Sequence, residues 1–318
     1  MNLKLFKYLP NLRSKNYLSH NERYCIEIVK KFDYENYLAT LFIKNDLIRK
    51  TAFTLRAFNV ELSLVRDMAK TDQMAHLRFQ FWNSIVQEIY SDNFEPKIFA
   101  KKYDNIPLAL GLSDILSDRK LSKHWLVKLI EIRDNPKYLG SFPFNTLEEL
   151  EKYAESSIVS LYYLINEEII SLSSNQTSSS HHLNLDHLAN HLGKAQGLIN
   201  TLRGVRHNSK NRRCYIPTDV LVETKSSHES FLQCSSDDPN LIEAVYTIAS
   251  RSNEHLIQAK ELFEKLSRSD RSVYFSLYIS QFYLDDLQRY SFNIFHPILH
   301  SRNGLIPWKL WWRSKFYV

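Results

Sequence analysis

Arg203, Arg206 and Arg213, with Tyr215 two residues beyond the last, are the residues of this chain best suited to holding an anion. Guanidinium groups clasp phosphate and carboxylate oxygens through paired N–H donors. Here they follow an apolar helical run, Leu188, Leu192, Ala195, Leu198, Ile199 and Leu202. A smooth apolar wall ending in cations suits an amphiphile with an anionic head, although a solvated charged loop would carry the same residues. Gly193, Gly197 and Gly204 interrupt that wall and are three of only six glycines in 318 residues. Glycine costs a helix about 1 kcal/mol relative to alanine, so their shared face points to close approach, by a neighbouring backbone or by a ligand. His187 and His191, four apart, could share a metal, but the H-E-x-x-H glutamate and an evident third ligand are missing. A structural role is expected for them.

The order Gly193, Ala195, Asn200, Leu202, Arg203, Arg213, Tyr215 and Pro217 resembles the second signature of the squalene/phytoene synthase family. That signature reads roughly G-x-A-x-Q-L-x-N-I-L-R-D-x-x-x-D, followed by G-R-x-Y-L-P. The family's first signature, A-F-x-x-x-x-D-D-x-x-D, aligns on Ala57-Phe58. The resemblance implies an all-α, single-domain helical bundle of the trans-isoprenyl diphosphate synthase type around a central cavity. In active members the signature aspartates hold magnesium against a prenyl diphosphate, neutralising it and helping it leave. Their five positions fall here on Ser63, Leu64, Asp67, Gly204 and Asn208. Only Asp67 is a carboxylate, though a small shift of the alignment would bring Glu61 into play. The resemblance therefore implies a pseudo-enzyme with no metal, no cofactor and no catalytic residues, in which Arg203, Arg206, Arg213 and Tyr215 would face any anionic head directly. The alternative is an active prenyl diphosphate-using transferase with displaced ligands drawn from Glu61, Asp67, Asp72 or Asp186.

FDYENYL, LRAFNVEL, LRFQFWNSIVQEIY, HLGKAQGLINTLR and NIFHP, in family order from residue 32 onward, resemble the branch of that family that serves respiratory complex I assembly. This implies a non-catalytic factor, peripheral on the matrix side of the mitochondrial inner membrane. Its partners would be complex I subunits or assembly intermediates, at an early stage in biogenesis of the membrane arm including NADH dehydrogenase subunit 1. An isoprenoid or lipid ligand remains open.

The elements that must position these residues are helical. The chain is 44% hydrophobic with few glycines and prolines, and strand-like alternation is scarce, so an all-α domain is expected. Periodicity predicts helices within 21–44, over 47–68 with Phe53, Ala57, Val60, Leu64 and Met68 as its stripe, and over 77–90 with Leu77, Phe81, Ile85 and Ile89 inward. Further helices are expected at about 97–118, 120–134, 147–172 (capped by Thr146, with Glu149 as capping-box partner), 240–266 and 269–289. SLSSNQTSSS, 171–180, reads as a flexible surface connector.

Residues 1–20 are basic and free of acids, as a mitochondrial transit peptide or an ordinary basic tail would be; 21–318 form the domain. No apolar run reaches the roughly 18 residues that suggest a membrane span. Three cysteines without C-x-x-C spacing exclude a zinc ribbon and a disulfide framework. The net charge of +6 lacks a long basic block or a nucleic-acid module, so no nucleic-acid partner is expected. The tail places Trp308, Trp311, Trp312 and Phe316 beside Lys309, Arg313 and Lys315 on one helix. Such a surface fits the interfacial layer of a membrane or docks onto the bundle.

Overall fold

Side-chain caps fix where many of the helices begin. Ser19 and Glu22 form a reciprocal capping box at helix His20–Phe32. Asn45 caps Asp46–Met68 through Leu47 and Ile48 N–H, Thr71 caps Asp72–Ile89, and Thr146 caps Leu147–Ala154. Glu149 departs from expectation: its carboxylate accepts from Asn145 N–H and Lys137 rather than from the cap residue's own backbone. A computed structural model describes residues 18–118, 121–173 and 179–317, for residue 317 the backbone alone. Among these residues there are helices and no strands, as an all-α bundle requires.

Pro107 explains one difference from the periodicity. It lacks an N–H and starts a helix of its own, so the expected 97–118 helix is two, Pro96–Lys102 and Pro107–Leu116. The 269–289 stretch is likewise divided into Arg268–Arg271, a 3₁₀ turn at Ser272–Tyr274, and Ser276–Arg289. Helix Asp72–Ile89 turns a different face inward than the pattern suggests. Ala75, Phe79, Trp82, Ile85, Val86 and Ile89 are buried, whereas Leu77 and Phe81 are exposed. Trp82 packs edge-on to Phe58, their ring centroids 5.6 Å apart.

The expected transit peptide lies outside the described residues except for its last three. The expected Ser-rich connector shrinks from both ends: Ser171 and Leu172 finish helix Ser160–Leu172, and Ser179 and Ser180 begin Ser179–Lys210. Its middle, 174–178, is not among the described residues.

Helix Ser179–Lys210 is the axis of the bundle and packs most extensively on Pro239–Glu264. Two of its glycines answer the question the sequence left open. A Cβ on Gly197 would stand 2.2 Å from Ala154 Cβ, and one on Gly193 would stand 2.5 Å from a Val159 methyl and 3.0 Å from its backbone. Both glycines therefore let the helix lie directly on the 154–159 backbone, where a π-helical turn, Glu155–Val159, joins Leu147–Ala154 to Ser160–Leu172. A buried polar seam fixes the register on the far side: Tyr162 donates to Gln196 at 2.8 Å and shares a 2.6 Å bond with Ser276, and Tyr274 bonds to Asn166.

Candidate ligand pocket

A cavity of about 520 Å³ opens between helices Asp46–Met68 and Ser179–Lys210. Helical spacing of four puts Asn59, Ser63 and Asp67 in one row and Asn200, Gly204 and Asn208 in another, and both rows line the cavity. Leu64 lines it as well. All five positions matched to the family's aspartates therefore meet in one pocket, although 140 residues separate Asp67 from His207 on the second helix.

The surviving carboxylate is already engaged. Asp67 Oδ1 accepts from Arg213 Nη1 at 3.0 Å, and Oδ2 lies 2.9 Å from His207 Nε2. Arg203 also lines the pocket but is paired with Glu35 at 3.0 Å and lies over the Tyr283 ring. Burial works against its charge, while Glu35 raises its pKa above the ordinary value. Tyr215 accepts a 2.6 Å bond from Arg66, and burial pushes its phenol up. Arg206 corrects the expectation: it is exposed and does not line the pocket. At 100° per residue it sits about 200° around the helix from both Gly204 and Asn208.

Two cations that the motif reading overlooked complete the wall. Arg66 donates to the carbonyls of Tyr138, Leu139 and Gly140 besides Tyr215, tying the 138–140 segment across the pocket. Arg133 donates to Asn59 Oδ1 at 2.7 Å, Leu129 O at 2.8 Å and Ser157 O at 3.3 Å. Burial lowers its pKa. Both guanidiniums are held by neutral oxygens, so their charge is not cancelled by those bonds. Asp33, the residue between helices His20–Phe32 and Tyr34–Thr40, and Glu35, in the first turn of the second, are further carboxylates at the wall. Burial raises the Asp33 pKa against the pull of Arg56, and Asn36 holds both its oxygens. Arg66 carried one signal, its place beside Asp67; Arg133 carried none, since only the fold brings its helix to Asn59.

This donor set does not fit a magnesium cluster. Among the described residues no three His, Cys, Asp or Glu side chains converge to hold a metal, and Asp67 and Glu35 each face a guanidinium. The displaced-ligand candidates do not gather either. Glu61 opens onto a separate surface groove, Asp186 accepts from Asn166 at 3.0 Å, and Asp72 opens its helix beside the Thr71 cap. His191 meets His255 at 3.1 Å, and His255 meets Glu151 at 3.3 Å, outside the pocket. His187 does not join them in these bonds.

The tail docks onto the bundle by one face. Ile306 and Leu310 are buried and Trp311 packs half-buried against the core, which removes Trp311 from the outward surface expected for it. Trp308, Trp312 and Phe316 stay outward.

A model of the family described as squalene/phytoene synthase matches residues 29–312. The chain is 34% identical over 301 residues to the protein named NADH dehydrogenase (ubiquinone) complex I, assembly factor 6, of Bos taurus, covering 94% of this chain and 84% of that one. It is 33% identical to the Homo sapiens protein of that name, covering 93% and 83%. This chain belongs to the complex I assembly factor 6 branch of the squalene/phytoene synthase family. Its fold is that of the solved synthases. A dehydrosqualene synthase superposes with a TM-score of 0.72 at 15% identity, covering 93% of this chain and 96% of that one. Squalene synthase HpnC from Alicyclobacillus acidocaldarius gives 0.66 at 13%, covering 86% and 95%. The wall of this chain's pocket carries Arg66, Arg133, Arg203 and Arg213 together with the carboxylates Asp33, Glu35 and Asp67.

Proposed function

We propose that this chain is a non-catalytic assembly factor for mitochondrial respiratory complex I. It acts early in biogenesis of the membrane arm, including NADH dehydrogenase subunit 1, after import directed by residues 1–20. One observation carries the non-catalytic part: Ser63, Leu64, Gly204 and Asn208 line the pocket at four of the five metal-binding positions, and the fifth, Asp67, is bound by Arg213 and His207. A diphosphate could be held there by Arg66 and Arg133, but its departure would lack the metal electrophile. The assembly part is supported by relatives that carry that role in their names. The inherited bundle then serves as a binding body, with an anion-headed isoprenoid or lipid as the ligand its pocket suits.

Two experiments test this. In cells lacking the gene, pulse-labelled NADH dehydrogenase subunit 1 is expected to be made and then lost, with complex I absent from native gels; normal complex I refutes the assembly role. Purified protein titrated with farnesyl diphosphate is expected to release no pyrophosphate and to bind equally with magnesium or with a chelator. Magnesium-dependent turnover refutes the pseudo-enzyme reading without touching the assembly result.

A further inference from the structure

The C-terminal segment carries an apolar face that the bundle does not cover. Leu305 immediately precedes helix Ile306–Tyr317, and Trp308, Trp312 and Phe316 follow it at spacings of three, four and four, which aligns these last three on one side of the helix. The four are 60%, 48%, 60% and 61% exposed, and Ile298 just before them is 46% exposed. The opposite side is committed to the core through Ile306 at 8% and Leu310 at 0%. The helix is thus held in place by one face while it offers large aromatics on the other. Scattered exposed apolar residues mean little, but an aligned stripe of this size marks an interaction surface.

Charge selects the occupant. No acidic residue follows Asp286, whereas Arg302, Lys309, Arg313 and Lys315 do. These cations flank the stripe: Lys309 stacks over Phe282, Arg313 over Tyr278, Lys315 over Trp311 and Arg302 over Tyr34. The charged ends themselves lie over these rings, 4.7 to 5.3 Å from the centroids, so the cations are held beside the stripe. Tryptophan with flanking Lys and Arg on a partly apolar helix is the composition that settles at the headgroup level of an anionic bilayer. Among the described residues no helix is long and apolar enough to cross a membrane.

We propose that Ile298, Leu305, Trp308, Trp312 and Phe316 form a docking face that seats the protein on an anionic lipid surface, with the surrounding cations against the headgroups. The same segment touches the pocket's edge. Arg302 donates to Lys31 O at 3.4 Å, one residue from Phe32, which lines the pocket and is itself 46% exposed. Lipid docking would bring that edge close to the bilayer.

Co-sedimentation of the full chain with vesicles tests this, comparing phosphatidylcholine alone with phosphatidylcholine mixed with phosphatidylglycerol. The chain is expected to sediment with the mixed vesicles, less so as salt rises, and the double variant Trp312→Ser/Phe316→Ser is expected to lose at least tenfold in partitioning. Val222→Ser, at a still more exposed apolar site elsewhere, is the control and is expected to bind like the parent. Thermal melting of each variant verifies folding. The proposal is overturned if the parent ignores anionic vesicles, if the double variant binds as well as the parent, or if the stripe proves instead to join two copies, shown by a dimer in sedimentation velocity that the double variant abolishes without change in lipid binding.

Discussion

Arg213 Nη1 lies 3.0 Å from Oδ1 of Asp67, a residue 146 positions earlier in the chain. The side chain that would otherwise be the pocket's one surviving signature carboxylate is thereby an internal counter-ion. It occupies the guanidinium that an incoming anion would need. Replacing it by a neutral isostere frees Arg213 and His207 without removing volume.

Asp67→Asn is therefore expected to strengthen metal-free binding of farnesyl diphosphate. Partly exposed pairs of this kind couple by up to about 1 kcal/mol, which is roughly a fivefold change in Kd. Calorimetric titration in the presence of a chelator measures it. Arg133→Gln is expected to weaken the same binding by a comparable factor.

The three glycines of the central helix should part company under substitution. Gly197→Ala places a methyl 2.2 Å from Ala154 Cβ and 3.1 Å from its Cα, and overpacking of this kind costs about 1–3 kcal/mol. Gly193→Ala meets Val159 backbone at 3.0 Å and should cost a similar amount. Gly204→Ala meets only the flexible end of Asn208, at 3.1 Å. The helix-propensity gain of up to about 1 kcal/mol should then prevail. Urea unfolding midpoints of the three variants check the order.

Stability should fall on acidification through one cluster. Burial works to raise the Glu151 carboxyl, but hydrogen bonds and charge from His255 and Arg251 outweigh it and hold it at about 2. Its folded pKa is below the ordinary 4.5, so its contribution is present above that value and is lost as pH falls toward about 2. Burial, then the neighbouring His255, lowers the His191 pKa from 6.5. The folded state thus resists protonation there, and stability declines as pH drops below that value. Both effects have the same sign. Glu151→Gln should flatten the acid limb and cost about 2 kcal/mol at neutral pH, because it strands the buried His255 and unpairs Arg251. Thermal denaturation across the acid range provides the measurement.

Returning carboxylates to the pocket tests the reading of the four substituted positions. In the variant Ser63→Asp/Leu64→Asp/Gly204→Asp/Asn208→Asp, pyrophosphate binding should become magnesium-dependent, at least tenfold tighter with the ion than with a chelator. The parent should show no such difference. Equal behaviour of parent and variant in direct titration would mean that these positions do not form a metal site.

The sequence by itself determined the family and the helical bundle, because both are written in local terms. Periodicity, caps such as Thr71 and Thr146, and the ordered signature residues need no distant contact to be read. It also placed Ser63, Leu64, Gly204 and Asn208 at the positions matched to the family's aspartates, since they stand in a recognisable frame. Tertiary structure decided everything that depends on what lies opposite. Pairing with Asp67 and Glu35 removed Arg213 and Arg203 from the free charge of the pocket, and helical phase turned Arg206 away. Only packing could deliver Arg133 to Asn59 from a helix that carries no motif. The glycines were ambiguous between a backbone and a ligand until Ala154 and Val159 were found against Gly197 and Gly193. Trp311 and Trp312, adjacent in the chain and about 100° apart on the helix, were left half-buried and exposed by a helix that had to bury Leu310. Local propensities are encoded residue by residue, whereas pairing, burial and the facing of one helix toward another arise only when the chain closes on itself.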